Sequence, residues 1–205
     1  MRSCRRCDPR HVGSPTGVVL AGGKSRRMGC DKATLPLGDR SLLAHVVGRL
    51  RAVCAPVLVV ASRPDAYPDC GVPVIADRWP VGGPLAGLHA GLAAARTDYA
   101  VVVACDLPFI TPSVLRGLVE RAGGFEAAVP RVDGVAQPLC AVYHRGVEPV
   151  AEALLRRGVR SVRALLRRLR VHYVGEDELR AWDPDLRSFL NVNTPANYER
   201  ALAML

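Results

Sequence analysis

Gly17-Val-Val-Leu-Ala-Gly-Gly-Lys-Ser-Arg-Arg-Met-Gly-Cys-Asp-Lys32 joins a short apolar run to a glycine turn set among cations. Val18, Val19 and Leu20 are apolar and mostly β-branched, which reads as a buried strand. Gly22 and Gly23 let the backbone come close to a ligand with its N–H groups turned toward negative charge. Lys24, Arg26, Arg27 and Lys32 add positive charge around that turn. A strand that ends in a glycine turn flanked by cations is a polyphosphate site in outline.

Two common phosphate motifs do not fit. The P-loop requires a glycine five positions before its Gly-Lys-Ser/Thr, and that position before Gly23-Lys24-Ser25 is Val18. The dinucleotide fingerprint requires Gly-x-Gly-x-x-Gly, and Lys24 stands where the second glycine belongs. The basic residues carry a further signal. Of 28 Lys+Arg, only Lys24 and Lys32 are lysine. A chain biased so strongly toward arginine keeps both lysines in one motif, where a compact ammonium acts as a point charge that a guanidinium does not always replace.

Outward from this stretch, strand and helix patterns alternate. Ser41 is placed to cap a helix through about Val53, with Leu42, Leu43, Val46, Val47 and Leu50 at helical spacing. Pro56–Ala61 reads as a second strand and Val74-Ile75 as a third that ends at Asp77. The loop Val81–Gly87 opens a helix through Ala95. Tyr99–Ala104 is the most hydrophobic strand and is predicted to be central. Thr111-Pro112 starts a helix to about Ala122. Fully apolar strands alternating with helices indicate an α/β fold, a parallel sheet covered on both faces. Ligands of such sheets bind beyond the carboxyl ends of the strands, and Gly22-Gly23, Asp77 and Asp106 all fall there. Farther on, Ala136–Tyr143 and Phe189–Thr194 are predicted as strands, and Val147–Leu155, Ser161–Leu169 and a final segment from Thr194 as helices.

The chain of 205 residues is long enough for one domain with a sizeable core. Residues 1–16 are polar, basic and rich in turn formers and are expected to form a disordered extension, leaving 17–205 as a single domain. Apolar content of 49% and charged content of 23% are those of a soluble protein. No apolar run approaches the ~20 residues of a membrane span, and no h-region follows the basic N-terminus. The cytoplasm, and no membrane contact, is the expectation. Seven cysteines, an odd number, argue for reduced thiols. Cys4-x-x-Cys7 has no second Cys/His pair at zinc spacing, and Cys30 and Cys105 read as small core or loop residues. A formal net charge of +9 suits an acidic partner. Aromatic content of only 5%, not interleaved with basic residues, weighs against nucleic acid.

Asp106 follows the central strand, where a carboxylate can hold Mg²⁺ together with substrate phosphates or act as an ordinary turn residue. Asp77 and Gly82–Gly87 offer a carboxylate and close-approach glycines to a nucleoside, or simply a loop and helix start. Arg156, Arg157, Arg160, Arg163, Arg167, Arg168 and Arg170 crowd one segment and read mainly as a solvated face, with Arg160 the best placed to meet an acidic substrate.

Leu20-Ala-Gly-Gly-x-Ser-x-Arg-Met-Gly-x-Asp-Lys32 resembles the signature of the sugar-nucleotidyltransferase superfamily in its molybdenum cofactor guanylyltransferase (MobA-type) form. Cys105-Asp106-Leu-Pro and Asn191-Val-Asn193-Thr-Pro resemble further motifs of that family. The resemblance implies a three-layer αβα, Rossmann-like nucleotidyltransferase fold with a mostly parallel central sheet. It also implies Mg²⁺-dependent transfer of GMP from GTP to the terminal phosphate of molybdenum-molybdopterin. On that basis Leu20, Ala21, Gly22, Gly23, Lys32, Asp77, Gly83, Gly87 and Asp106 are expected to bind GTP. Arg27, Lys32 and Asp106 are expected to be catalytic, with Asp106 as the metal ligand. Asn191, Asn193 and Arg160 are expected on the molybdopterin side. A monomer is expected, with a molybdopterin-delivering protein and recipient molybdoenzymes as partners. One departure is that Val60 and Ala61 fill the region where some relatives carry a nucleotide-touching asparagine. A nucleotidyltransferase using CTP or a sugar-phosphate acceptor, and a basic nucleic-acid-binding module, remain alternatives.

Overall fold

Eight strands form one sheet in a computed structural model that describes residues 13–21, 31–77, 79 and 82–205. Gly22, Gly23 and Arg27 of the expected site lie outside the described residues, as do residues 1–12, Cys4, Cys7 and Cys30. The strands are β1 (Thr16–Leu20), β4 (Val57–Ala61), β5 (Val74–Ala76), β6 (Tyr99–Ala104), β7 (Ala127–Val132), β8 (Val135–Ala136), β9 (Cys140–His144) and β10 (Val171–Val174). A small antiparallel hairpin, β2 (Pro36–Leu37) with β3 (Arg40–Ser41), precedes the first helix. The helices are α1 (Leu42–Arg51), α2 (Pro84–Ala94), α3 (Pro112–Ala122), α4 (Glu148–Arg156), α5 (Val162–Leu166), α6 (Glu176–Trp182) and α7 (Pro195–Leu202).

The sheet order is β10-β7-β9-β6-β1-β4-β5, so β6 is central as its composition predicts. Pairing is parallel except around β9, which runs against β6 and β7, and at the short β8. Successive side chains of each strand point to opposite faces, and both faces are covered. Val19, Val59, Val101 and Val103 face α1, α3 and α6, and Val18, Val60, Val102 and Ala141 face α2, α4 and α5. This is the three-layer αβα arrangement with a mostly parallel sheet.

The caps follow the sequence. Ser41, Thr111 and Thr194 accept from the backbone N–H groups of Ala44, Val114 and Asn197, at the starts of α1, α3 and α7. Other features differ from expectation. Strand β1 begins at Thr16, and Pro15 and Thr16 are buried, so these two residues of the expected extension belong to the fold. The C-terminal half holds three elements absent from the sequence reading: β7, β10 and α6. Pro130 disguises β7 because it lacks a donor. It lies between the residues that pair with β9 (Ala127, Ala128) and those that pair with β8 (Arg131, Val132). Helix α5 is five residues, shorter than the pattern implied. Residues 189–194 are a 3-10 turn and an extended loop rather than a strand, with no sheet partner.

Glycines set the closest approaches of the layers. A Cβ on Gly91 of α2 would stand 2.5 Å from Val18 Cγ1. On Gly48, exposed on α1, it would meet nothing within 4 Å. Gly91→Ala is therefore expected to destabilise, because overpacking costs about 1–3 kcal/mol and outweighs a gain of ~1 kcal/mol in helix propensity. Gly48→Ala is expected to stabilise by about 0.5–1 kcal/mol. Urea unfolding of the two variants checks the opposite signs; equal midpoints would mean α2 can slide on β1.

Candidate active site

Strand β1 is hydrogen-bonded to β4 on one side and β6 on the other, so the chain reverses its direction of travel across the sheet between β1 and β6. The crevice outside the carboxyl ends of strands at such a switch point is where open α/β sheets bind ligands. Backbone bonds fix the rim: Cys105 N donates to Leu20 O (3.1 Å), Ala21 N to Val60 O (2.8 Å) and Asp77 N to Ala61 O (3.2 Å). Leu20, Ala21, Asp77 and Asp106 therefore sit along one edge. Asp106 follows β6 and Asp77 follows β5, three strands away, a span of about 14 Å at ~4.8 Å per strand.

At the β1/β6 end the expected residues converge. Lys32 opens a 3-10 turn capped by Asp31, whose Oδ1 accepts from Ala33 N at 3.0 Å. The Lys32 ammonium donates to Asn193 Oδ1 and stands 3.7 Å from Asp106 Oδ2. Both charged side chains are mostly shielded, 21% and 18% exposed. Asp106 O accepts from Val192 N at 2.9 Å, which ties the loop of Asn193 to the end of β6. Val192 is buried with Leu37, Leu42 and Ala201, so α7 and the β2–β3 hairpin hold that loop in place.

Burial raises the Asp106 carboxyl above the usual carboxylate range, while the charge of Lys32 and a bond from the residue's own backbone N–H oppose the shift. Asp106 Oδ1 is buried and has no hydrogen-bond partner among the described residues. A buried carboxylate oxygen left without a donor is costly unless a ligand completes it. A hard oxygen donor at the carboxyl end of the central strand fits Mg²⁺, which takes one or two carboxylates plus substrate oxygens.

The other expected residues divide between the two ends. Gly87 faces Leu20, a Cβ there meeting Leu20 Cδ2 at 3.4 Å. Gly83 has φ +95° and caps α2, whose first helical residue is Pro84. Asp77 Oδ1 accepts from Trp79 N at 3.0 Å. Arg160, expected beside Asn191 and Asn193, packs instead against this end. Its carbonyl accepts from Leu85 N at 3.3 Å, and its Cβ lies 3.2 Å from where a Gly83 Cβ would be. The turn between α4 and α5 docks on the start of α2, which sequence distance concealed. Asn191 and Asn193 do not share a strand face. Asn191 Nδ2 donates locally to Phe189 O at 3.3 Å, whereas Asn193 reaches Lys32.

Three neighbours of the site carried no sequence signal. Tyr67, 6% exposed, donates its hydroxyl to Asp31 Oδ2 at 2.5 Å and so supports the turn that presents Lys32. Burial and Asp31 hold that phenol in its protonated form. Trp79 and His89 meet through Nε1–H and Nδ1 at 3.2 Å. Two of the described thiols are not nucleophiles: burial pushes Cys54 and Cys140 up to about 12, which leaves them protonated and inert.

Residues 17–173 match the MobA-like NTP transferase domain. A protein of Pelotomaculum thermopropionicum named "Probable molybdenum cofactor guanylyltransferase" is 41% identical over 189 residues, 92% of either chain. A molybdenum cofactor guanylyltransferase of Desulfosudis oleivorans is 38% identical over 195 residues, 93% of this chain and 95% of its own. The crystal structure of molybdopterin-guanine dinucleotide biosynthesis protein A from Archaeoglobus fulgidus superimposes with a TM-score of 0.81 at 30% identity, covering 92% of this chain and 97% of that one. With the switch-point crevice and the Lys32–Asp106 pair in the described fold, the chain belongs to the MobA-like NTP transferase family.

Proposed function

We propose that this chain is a molybdenum cofactor guanylyltransferase. It transfers GMP from GTP to the terminal phosphate of molybdenum-molybdopterin, forming the guanine dinucleotide cofactor and pyrophosphate. The observation that carries this reading is the Lys32–Asp106 pair at the β1/β6 switch point, in a chain of this family. The activities for which its relatives are named support it.

The acceptor phosphate is already an anion near neutral pH, so no general base is required. Catalysis then consists of positioning and charge neutralisation. Lys32 supplies a compact cation, kept pointing into the crevice by Asn193 and by the turn that Asp31 caps. The Asp77–Gly83 end receives the nucleoside: carboxylate oxygens accept from guanine's N1–H and exocyclic amine, or from a ribose hydroxyl, and the glycines admit close approach. Asn193, on the far side of Lys32, borders the acceptor. Asp106 would hold Mg²⁺, which would supply neutralisation of the charge on the triphosphate and the departing pyrophosphate.

Thermal shift tests the base assignment. At a hundred times its dissociation constant a ligand stabilises by ~2.7 kcal/mol, so GTP·Mg²⁺ is expected to raise Tm clearly more than CTP·Mg²⁺. Equal shifts would remove the guanine assignment.

Asp106 has a second, ligand-free signature. Its folded-state pKa is raised, so the folded protein retains this proton to higher pH than the unfolded chain does. Stability is therefore lost as pH rises from the ordinary carboxylate range through the raised value. Without ligand, Asp106→Asn is expected to match or exceed the wild type in denaturant midpoint at about pH 7, with the gap closing near pH 4. The same variant is expected to lose at least ~100-fold in Mg²⁺-dependent transfer. Turnover near the wild-type rate would rule out a metal at Asp106.

Lys32→Ala is expected to cost on the order of 10²–10³ in single-turnover pyrophosphate release, the scale of one lost electrostatic donor to a transition state. Lys32→Arg should recover only part of that rate, because the guanidinium is longer and planar. Full recovery would make Lys32 a replaceable surface cation.

A further inference from the structure

His89 lies on the inner face of α2, 8% exposed, among residues that need no polar group there: Leu85, Leu88 and Leu92 already bind the helix to the sheet. Its two ring nitrogens are approached from opposite sides. Trp79 Nε1 lies 3.2 Å from Nδ1, and Glu148 Oε1 of α4 lies 2.7 Å from Nε2. An indole nitrogen can only donate. Nδ1 is therefore the acceptor, and the proton of the neutral ring sits on Nε2, toward Glu148. The Nε2 approach is close but poorly aligned, leaving Nε2 without a well-formed hydrogen bond. The ordered bond is the one to Trp79.

Ligand atoms of His89, Glu148 and Glu152 lie within 4.8 Å of one another. That set has the composition of a metal site but the wrong tautomer. A cation at Nε2 would move the ring proton to Nδ1, against the Trp79 N–H. Glu152 is also paired with Arg156 at 2.7 Å.

Trp79 is where the nucleoside end is tied together. Its N–H donates to Asp77 Oδ1 at 3.0 Å, and its carbonyl accepts from Gly82 N at 3.0 Å. Gly83 then turns at positive φ into α2. The Trp79 ring meets His89 edge-on, 5.8 Å between centroids and 86° between planes. We propose that His89 is a positioning residue for the nucleoside. By accepting the Trp79 indole proton it fixes that ring, and through Trp79 it orients the Asp77 carboxylate and the Gly82–Gly83 turn without touching substrate. This rests on the guanylyl-transfer reading above.

Three substitutions separate the two ring nitrogens. His89→Asn keeps an acceptor near Nδ1, His89→Gln moves the amide toward Nε2 and loses that acceptor, and Trp79→Phe keeps a ring but removes the donor. The first measurement needs no nucleotide: the indole N–H resonance of Trp79, identified by its absence in Trp79→Phe. It is expected to shift in His89→Gln and return in His89→Asn, while that of Trp182 stays put. The second is steady-state kinetics with GTP as the varied substrate. His89→Gln and Trp79→Phe are each expected to raise KM about three- to tenfold, the worth of one net hydrogen bond, with kcat within about twofold. His89→Asn is expected to restore KM, and the double variant to be no worse than either single one. An unmoved indole resonance in His89→Gln, an unchanged KM, or additive penalties in the double variant would overturn the proposal. A wild-type enzyme that prefers another nucleotide, with the same KM split for it, would overturn the guanine reading and leave the role of His89 standing.

Discussion

A lysine ammonium and an aspartate carboxylate, 3.7 Å apart and both mostly out of water, form the constraint on which the rest of this molecule depends. Neither charge is well placed alone. Burial pushes the Asp106 carboxyl toward its neutral form, and Lys32 is what holds it back. The pair exists because β1 and β6 are neighbours in register, with Leu20 opposite Ala104, so the segments that follow them emerge side by side. That adjacency in turn requires the apolar strands to be covered by helices on both faces. Sheet packing thus sets the position of two charges, and the charges give the crevice its chemistry.

The pair also illustrates electrostatic preorganisation. Lys32 is oriented before any substrate arrives by Asn193 and by a turn that Asp31 caps and Tyr67 braces. Fixed charges and dipoles in a shielded site need little reorganisation during reaction and act more strongly than they would in water. Asp106 Oδ1, buried and unpartnered among the described residues, is the price of such readiness.

Much of this was legible in the sequence where local chemistry agrees with the fold. The β-branched runs of β1, β4 and β6 have no polar face, and only burial on both sides explains them. Ser41, Thr111 and Thr194 announce their helices, and the segregation of two lysines into one motif singled out Lys32. Legibility failed where tertiary context overrides local pattern. Pro130 hides a strand, because its missing donor matters only if the neighbouring pairing is known. Asn191 and Asn193 look equivalent by spacing, yet a loop sends one amide back to its own backbone and the other to Lys32. Trp79 and His89 are ten residues apart, and nothing local says that an indole proton needs an imidazole. Arg160 reads as a companion of Asn191 and Asn193 on the acceptor side, yet the α4–α5 turn brings it to Gly83.

The bond from Lys32 to Asn193 spans 161 positions of chain. Closing so large a loop carries an entropic cost that grows only logarithmically with length, yet the contact forms only after everything between its ends is arranged. On the Asn193 side the anchorage is small. Val192, Ala201, Leu37 and Leu42 form a satellite core distinct from the two large ones that hold the sheet. Free energies of local opening follow the apolar surface a segment buries. Amides of α7 will therefore exchange with solvent through sub-global openings that leave β1 and β6 protected. In such an opening Lys32 loses its amide partner while Asp106 keeps its place at the end of the central strand. The charge pair and the amide that steadies it thus belong to parts of the molecule with different lifetimes.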